Sequence, residues 1–483
     1  MDPQLPLPNS TVSYWQVKKP SKMWKHRSTP ELPAKAFAVV IGSGLTGASA
    51  AYHLSAKHPD GSILLLEARE ACSGATSRNG GHLVAANFFG IREDARRLGA
   101  DAAVRVRIAE HMGVQELVAK AKQLGSGDLV ENGRVRTYED PATYSEAVAD
   151  YHWAVQAGVA YGAEIWDATE TYRRLRTPAF VGAGKVPGFQ FYPADFVWKL
   201  LEEAVAKQKL NFQTETPVTD VVSVEHRATD GYRWKVITPR GSVLARHVVH
   251  CTNAWAGHLL PSLRPYITPT RGQVIVEYLP QQRFPYGLSF RNGNVYLQQR
   301  PFDHMIILGG GKTLDPGRGT TNDTELNPIV SRFLRDFIPA YFPGVWPLAR
   351  MEWTGIMGFT AAELPFVGPM PGLDGQWLGA GYTGHGMPLC FAVGKRLAKM
   401  VESGVESLAN DPGWMKEWLP EGRIGQQHTP VKRSLEGTQV VQNNQAYADE
   451  DEDDADEKEG LILKDWAPPA NKTLAQTGCC AIL

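Results

Sequence analysis

Cysteine is scarce in this chain: five in 483 residues, with Cys72, Cys251 and Cys390 isolated and Cys479 and Cys480 adjacent near the end. None stands in a CxxC or CxxxH spacing, so neither a zinc site nor a disulfide framework is indicated and no metal is expected. Such usage points to a reducing compartment. Net charge is equally small, −1. No global field therefore recruits nucleic acid or an anionic membrane surface, and nucleic acid is not expected as a partner. Long apolar runs are missing too; Ala36 to Ile41, one of the longest, is far too short to span a bilayer. The opening residues, MDPQLPLPNSTVSYW, lack the basic and apolar regions of a signal peptide. These absences lead to the expectation of a cytoplasmic, soluble body. Hydrophobic residues make up 43% and charged residues 21%, enough for two or three domains and a core that encloses a ligand.

Residues 1–35 are rich in Pro, Lys and Ser without periodicity and read as an irregular leader over the surface. Ala36-Phe-Ala-Val-Val-Ile41 is a continuous apolar run of the kind buried in a parallel sheet. A helical pattern follows from Leu45 to about His58, then a strand from Ser62 to Leu66, which together make one βαβ unit. Further helices are expected from Asp94 to about Leu124, from Phe196 to Lys209 and from about Leu389 to Glu402. Strand patterns recur at 218–225, 232–238 and 243–251, and again at 273–278, 295–299 and 305–308, suggesting a second, antiparallel or mixed sheet.

Gly42-Ser43-Gly44-Leu45-Thr46-Gly47 fits GxGxxG, directly after the buried strand and opening the helix. In that context Gly42 permits the tight turn, Gly44 lets backbone approach a pyrophosphate, and Gly47 lets helix and strand pack closely. The helix N-terminus offers unpaired N–H groups to the phosphates. Glu67 lies 20 residues after Gly47. A carboxylate at the end of the second strand can accept both ribose hydroxyls of an adenosine, and it would repel a 2′-phosphate. Ser73 to His82 is a run of small and hydrogen-bonding residues suited to wrapping an extended ligand, which favours FAD over NAD.

GSGLTG, the EARE of 67–70 and the SGATSRNGGH of 73–82 resemble the D-amino-acid-oxidase-like superfamily of FAD-dependent oxidoreductases. The resemblance runs from about residue 36 to 402. It continues through Tyr192-Pro-Ala-Asp195, His250-Cys-Thr-Asn-Ala-Trp-Ala-Gly257, Trp353-Thr-Gly355, Leu364-Pro-Phe-Val-Gly368 and Gly379-Ala-Gly-Tyr-Thr-Gly-His-Gly386. Ser13-Tyr14-Trp15 near the start and the TNAW variant are most similar to the γ-glutamylputrescine oxidase branch. The resemblance implies an α/β fold, with a Rossmann-type FAD-binding domain (36–100, 180–260 and 355–402) interleaved with an α+β substrate domain on a mixed sheet (101–179 and 261–354). It also implies that Gly42–Gly47, Glu67, Ala68 and Arg69 take the ADP half of FAD. Ser73, Gly74, Ala75, Thr76, Asn79, Gly80 and Gly81 would run beside the ribityl chain and flavin ring. Val218 would meet adenine through its backbone, Thr252 and Asn253 would lie near the cofactor, and Gly381, Gly384, His385, Gly386 and Met387 would bring a helix start to the flavin pyrimidine edge. Arg78 holds phosphate or a substrate carboxylate, or forms a plain salt bridge. His82 and His385 are the candidates for catalysis, each set against a purely structural role. No cysteine stands at Gly355, where monomeric sarcosine oxidase links its flavin, and Met387 and Pro388 replace a lysine of that enzyme. Both departures point away from free amino acids, toward amines or modified amino acids.

The expected reaction is oxidation of a C–N bond to an imine, with O₂ as acceptor giving hydrogen peroxide. A dehydrogenase of the same fold, a biosynthetic tailoring enzyme and a catalytically inactive membrane-tethered interaction protein are the alternatives. Residues 425–483 read as a disordered tail with an acidic run from Asp449 to Glu459. The tail ends Cys480-Ala-Ile-Leu483, a CaaX pattern whose terminal Leu favours geranylgeranyl, with Cys479 available for palmitoylation, as in a eukaryotic membrane-tethered lipoprotein.

Overall fold

In the computed structural model, residues 2–425 are described except 20, 225–230 and 316. The acidic run and the Cys479–Cys480 terminus lie outside the described residues.

Two eight-stranded sheets organise the chain. In the first, Lys35–Ile41 lies at the centre, parallel to Gly241–His250 on one side and to Ile63–Leu66 on the other. Ala38, Val39 and Val40 are fully buried, as a continuous apolar run in a doubly covered sheet requires. Asn211–Gln213 extends the sheet beyond Ile63–Leu66, while Trp234–Thr238 and Asp220–Ser223 extend it in antiparallel fashion beyond Gly241–His250. Gln376–Ala380 also joins Gly241–His250 in parallel and carries Phe366–Pro369. Helix Leu45–Lys57 packs on this sheet beside helix Cys390–Ser403. Gly394 is what lets those helices touch, since a Cβ there would fall 2.4 Å from Thr46 O.

The second sheet runs Leu348–Phe359, Thr268–Tyr278, Met305–Gly310, Val295–Gln299, Gly287–Phe290, Arg134–Tyr138, Gly182–Val186, Glu164–Asp167. It is mixed: only Gly287–Phe290 and Arg134–Tyr138 pair in parallel. Its two faces are chemically distinct. Ile275, Leu288, Leu297 and Leu308 pack on Leu334 and Ile338 of helix Pro328–Tyr341. Val274 and Trp353, on the opposite face, join the core that contains Leu45 and Tyr382. Strand Gly182–Val186 and residues 355–359 belong to this sheet, so boundaries drawn at 180 and 355 cut across it.

Two local expectations change. The helix expected from Asp94 to Leu124 arrives as Ile91–Leu98 and Ala100–Leu124. Gly99 divides them at φ +88, which no continuing helix can adopt. The leader, exposed or half-buried over most of its length, is anchored at Tyr14 and Trp15. Trp15 is fully buried, its indole N–H donates to Asn79 O (2.7 Å), and its own carbonyl accepts from Tyr192 Oη (2.6 Å). Two aromatic anchors, Tyr14 and Trp15, outweigh the Pro- and Lys-rich composition around them. Among the described residues, no helix is long and apolar enough to cross a membrane.

Candidate active site

The strand-to-helix turn dictates where the site forms. Gly42 sits at φ +98, and a Cβ there would meet Cys251 O at 2.8 Å. A Cβ at Gly47 would come 1.8 Å from Gly42 O, so only glycine lets the helix start this close to the strand. Gly44 is different: it caps the helix at φ −62 and has only Thr76 Oγ1, at 3.3 Å, near its Cβ direction. Gly42 and Gly44 open onto a cleft.

Glu67 stands at the strand end beside this turn. Its carboxylate accepts from Ser43 N (2.8 Å), Ser43 Oγ (2.7 Å) and Arg69 N (3.1 Å). Three donors aim the group, with lone-pair capacity left for a ligand hydroxyl. Ser43 itself is buried behind the turn and does not line the cleft. Ala68, Arg69, Gly74, Ala75, Thr76, Asn79, Val218, Thr252, Asn253, Gly384, Gly386 and Met387 all line it with Leu45 and Thr46. Thr252 Oγ1 and Trp255 Nε1, also in its wall, are buried without a hydrogen-bond partner in the protein. Unpaired buried polar atoms at a glycine-floored helix start fit a ligand rich in phosphate and ribose oxygens.

The loop 73–82 is fixed carbonyl by carbonyl. Arg78 O accepts from Trp353 Nε1 (2.9 Å), Asn79 O from Trp15, Gly80 O from Gln298 Nε2 (2.6 Å) and Gly81 O from Phe191 N (2.8 Å). Gly80 must be glycine, because a Cβ would sit 2.3 Å from the Tyr296 ring. Asn79 alone of these four residues reaches the cleft, where its Nδ2 touches Met387 Sδ at 3.3 Å. Gly80, Gly81 and Ser73 support the wall from behind. So does Gly381, whose N–H donates to Asn253 Oδ1 at 3.0 Å.

Arg78 is neither a phosphate clamp nor a substrate grip here. Its guanidinium donates to Ser73 O, Thr11 O, Thr354 O and Ser10 Oγ, and lies 4.0 Å from Asp323. Arg69 pairs with the same fully buried carboxylate at 2.9 Å and donates to Leu7 O. Together they strap residues 7–11 across the molecule, and the neighbouring Gln4, Leu5 and Pro6 become part of the cleft wall.

The two histidines fall away from the cleft. His385 is exposed on the outside of its turn, its backbone N–H bonded to Tyr382 O. His82 lies edge-on to Tyr296, ring centroids 5.6 Å apart, where burial and nearby Arg134 push its pKa down to about 3. A neutral imidazole of so low basicity is a poor proton acceptor at neutral pH. Burial likewise raises the thiol pKa values of Cys251 and Cys390, both in the cleft wall, so neither supplies a thiolate for covalent chemistry.

The DAO family profile, described as FAD dependent oxidoreductase, matches residues 38–400. The chain belongs to that family. This DAO-family chain is 25% identical over 414 residues to gamma-glutamylputrescine oxidoreductase of Escherichia coli, covering 80% of the chain and 88% of that protein. It is 24% identical over 376 residues to glycine oxidase of Geobacillus kaustophilus, covering 75% and 92%. With mouse mitochondrial sarcosine dehydrogenase the identity is 26% over 413 residues, covering 77% of the chain but 40% of the relative. A match of 28% to the glycine oxidase of Pseudomonas aeruginosa spans about half of that protein, 49%. The crystal structure of the Geobacillus glycine oxidase superposes with a TM-score of 0.64 at 19% identity, over 77% of the chain and 95% of that structure. The DAO-family chain is therefore an FAD-dependent oxidoreductase of α/β fold.

Residues of the cleft outside the quoted motifs include Met357, Cys390 and His258, together with the Gln4–Pro6 strap, while Trp255 and Tyr382 lie inside two of those motifs without an expected role. Tyr382 Oη meets Thr46 Oγ1 at 2.8 Å, tying the GYTGHG turn to the start of the first helix. Family-like motifs flank three of these positions, but nothing in the leader signals contact with a site.

Proposed function

We propose that FAD binds in this cleft and that the enzyme oxidises the C–N bond of a small amine or N-modified amino acid, with O₂ as acceptor. One observation carries the reading. Among the lining residues the single carboxylate is Glu67, committed to Ser43 and Arg69, while Met357, Met387, Tyr382 and Cys390 make the opposite wall. The one imidazole of the lining, His258, is engaged by Asp2 at 3.1 Å, and the apolar wall suits an uncharged amine more than an ammonium or a free amino acid. Bound FAD would supply the two-electron acceptor. The chain's part is to shed water around the neutral nitrogen and to hold its neighbouring C–H bond in place. Loss of a hydride from that carbon leaves an iminium ion, the protonated imine, which water hydrolyses to a carbonyl compound and an ammonium ion.

We further propose that residues 36–100, 180–260 and 355–402 form the FAD-binding part and 101–179 and 261–354 the substrate part. The concentration of first-sheet strands in the former and second-sheet strands in the latter supports this, strand Gly182–Val186 and residues 355–359 apart. The activity test is a visible spectrum followed by a peroxide-coupled screen of amines and N-substituted amino acids. Flavin bands with peroxide formation establish the reading; flavin reduced by amines without peroxide assigns another acceptor; a protein that takes up no FAD refutes it.

A further inference from the structure

Residues 2–7 run along one end of the cleft, and the span is fastened on both sides. On one side Leu7 O accepts from Arg69 Nη1 at 3.1 Å, next to the bonds that Arg78 makes with Ser10 and Thr11. On the other, the Asp2 carboxylate accepts from Arg264 Nη2 at 2.6 Å and lies 3.1 Å from His258 Nδ1. Arg264 is itself aimed, because its Nε donates to Gly257 O at 2.9 Å. A tight turn starts the span. Gln4 N donates to Asp2 Oδ1 at 2.9 Å, and Gln4 holds φ +56, a left-handed conformation that a residue with a side chain rarely adopts. Such strain persists where fixed neighbours impose it.

The end covered in this way is the adenosine end. A dinucleotide sets its pyrophosphate at the helix start and its ribose at the acid that closes the second strand, here Glu67. Thr216 N donates to Glu67 O at 2.8 Å, and Thr216, Val218, His258 and Leu259 line the cleft with it. Leu259 packs on the apolar cluster that contains Val218 and Leu66. Asp2 therefore fastens the span to the wall that carries Val218, through the residue next to Leu259.

Gln4, Leu5 and Pro6 line the cleft between these two fastenings, while Asp2 and Arg264 stay outside it. Leu5 is half-buried, yet among the described residues it packs against none of the apolar clusters. A leucine so placed gains its contacts when a flat apolar ring enters the cleft. We propose that residues 2–7 are a cofactor-binding strap: Leu5 and Pro6 cover the adenosine of bound FAD, and Asp2, clasped by Arg264 and His258, is the positioning residue that keeps them there. The proposal rests on FAD as the ligand of the cleft, and its test reads binding without turnover.

The experiment uses the full chain, loaded with FAD or stripped of it, with Asp2→Ala, Arg264→Met and Leu5→Ser alongside. FAD release is followed by the fluorescence regained as flavin leaves on dilution. Melting temperatures are recorded without ligand, with FAD and with ADP. Each variant is expected to release FAD at least fivefold faster and to lose at least half of the melting shift that ADP gives the native protein. Ligand-free melting of Asp2→Ala and Arg264→Met is expected to stay within about 2 degrees of native, since the pair they break is half-exposed. Combining Asp2→Ala with Arg264→Met is expected to speed release no further, because both open one clasp. Ligand-free melting lowered as far as the FAD-bound value would make the clasp purely structural and overturns the proposal. An ADP shift absent from the native protein, or unchanged in the variants, overturns it too. FAD released at the native rate by all three variants overturns the strap alone, whereas native protein that gains no stability from FAD overturns the cofactor reading with it.

Discussion

Gly47 and Gly44 sit three residues apart in one motif, yet the structure assigns them different burdens, and alanine at each separates the two. At Gly47 the added methyl would stand 1.8 Å from Gly42 O and 3.0 Å from Gly42 C. Ordinary contact requires turn and helix to part by about 1.6 Å, and neither atom belongs to a side chain that can swing away. Overpacking that side chains can absorb costs ~1–3 kcal/mol, so backbone displacement here belongs at ~3 kcal/mol. The same movement draws the helix N–H groups away from the pyrophosphate position. At Gly44 the backbone already has φ −62 and the methyl would meet only Thr76 Oγ1 at 3.3 Å. Alanine there is tolerated by the fold and even gains ~0.5 kcal/mol through the unfolded chain, but it projects where a ligand must approach. Apoprotein melting and FAD titration by fluorescence quenching measure both. Gly47→Ala is expected to lower the melting temperature by several degrees and to lose flavin; Gly44→Ala is expected to melt as the native protein does and bind FAD at least tenfold more weakly. Native melting in Gly47→Ala, or native affinity in Gly44→Ala, refutes the reasoning.

Three further outcomes follow from buried charge and from the Glu67 hydrogen bonds. Asp323→Asn leaves Arg69 and Arg78 without their shared carboxylate; urea unfolding should show a loss of ~3–5 kcal/mol, and a loss below ~1 kcal/mol would mean the arginines are held by carbonyls alone. Glu277 is buried, with one oxygen unpaired, and desolvation with nearby Glu352 raises its pKa to about 8. The native chain keeps a proton that the unfolded chain releases near its ordinary value of 4.5, so stability present at acid pH is lost as pH rises toward 8. Glu277→Gln should flatten that stretch of the stability–pH curve, and an unchanged curve would count against it. Glu67→Ala removes the acceptor for Ser43 and Arg69, and equilibrium dialysis should find FAD bound at least tenfold more weakly.

The βαβ unit was legible because its signals are local. A buried apolar run, three glycines at fixed spacing and an acid at the next strand end each have a short-range cause, and the strand and helix bounds agree to within a residue or two. The second sheet was only partly legible. Helix Pro328–Tyr341 and the twelve-residue strand Leu348–Phe359 passed unread. The strand's first residues are exposed and its burial pattern is irregular, so no period of two stands out. The role of Arg78 was undecidable from sequence, because its acceptors come from residues 10, 11, 73 and 354. His82 and His385 show the same limit. Their chemical type suggested catalysis, and only packing places one beside Tyr296 and the other outside its turn.

The strap over the cleft links the order of synthesis to cofactor entry. Thr11 N donates to Asp323 O, and Thr11 Oγ1 to the same carbonyl across 312 residues of sequence. The bonds of residues 7–11 to Arg69 and Arg78 are thus completed only when Asp323, about two-thirds of the way along the 483 residues, joins both arginines. Until then the wall formed by Gln4, Leu5 and Pro6 is incompletely held. FAD can be admitted before this latch closes, and once the latch is shut, release requires the N-terminus to let go of Arg69 and Arg78 first. Cleavage by a protease within residues 2–12 would therefore act as a clock for cofactor escape.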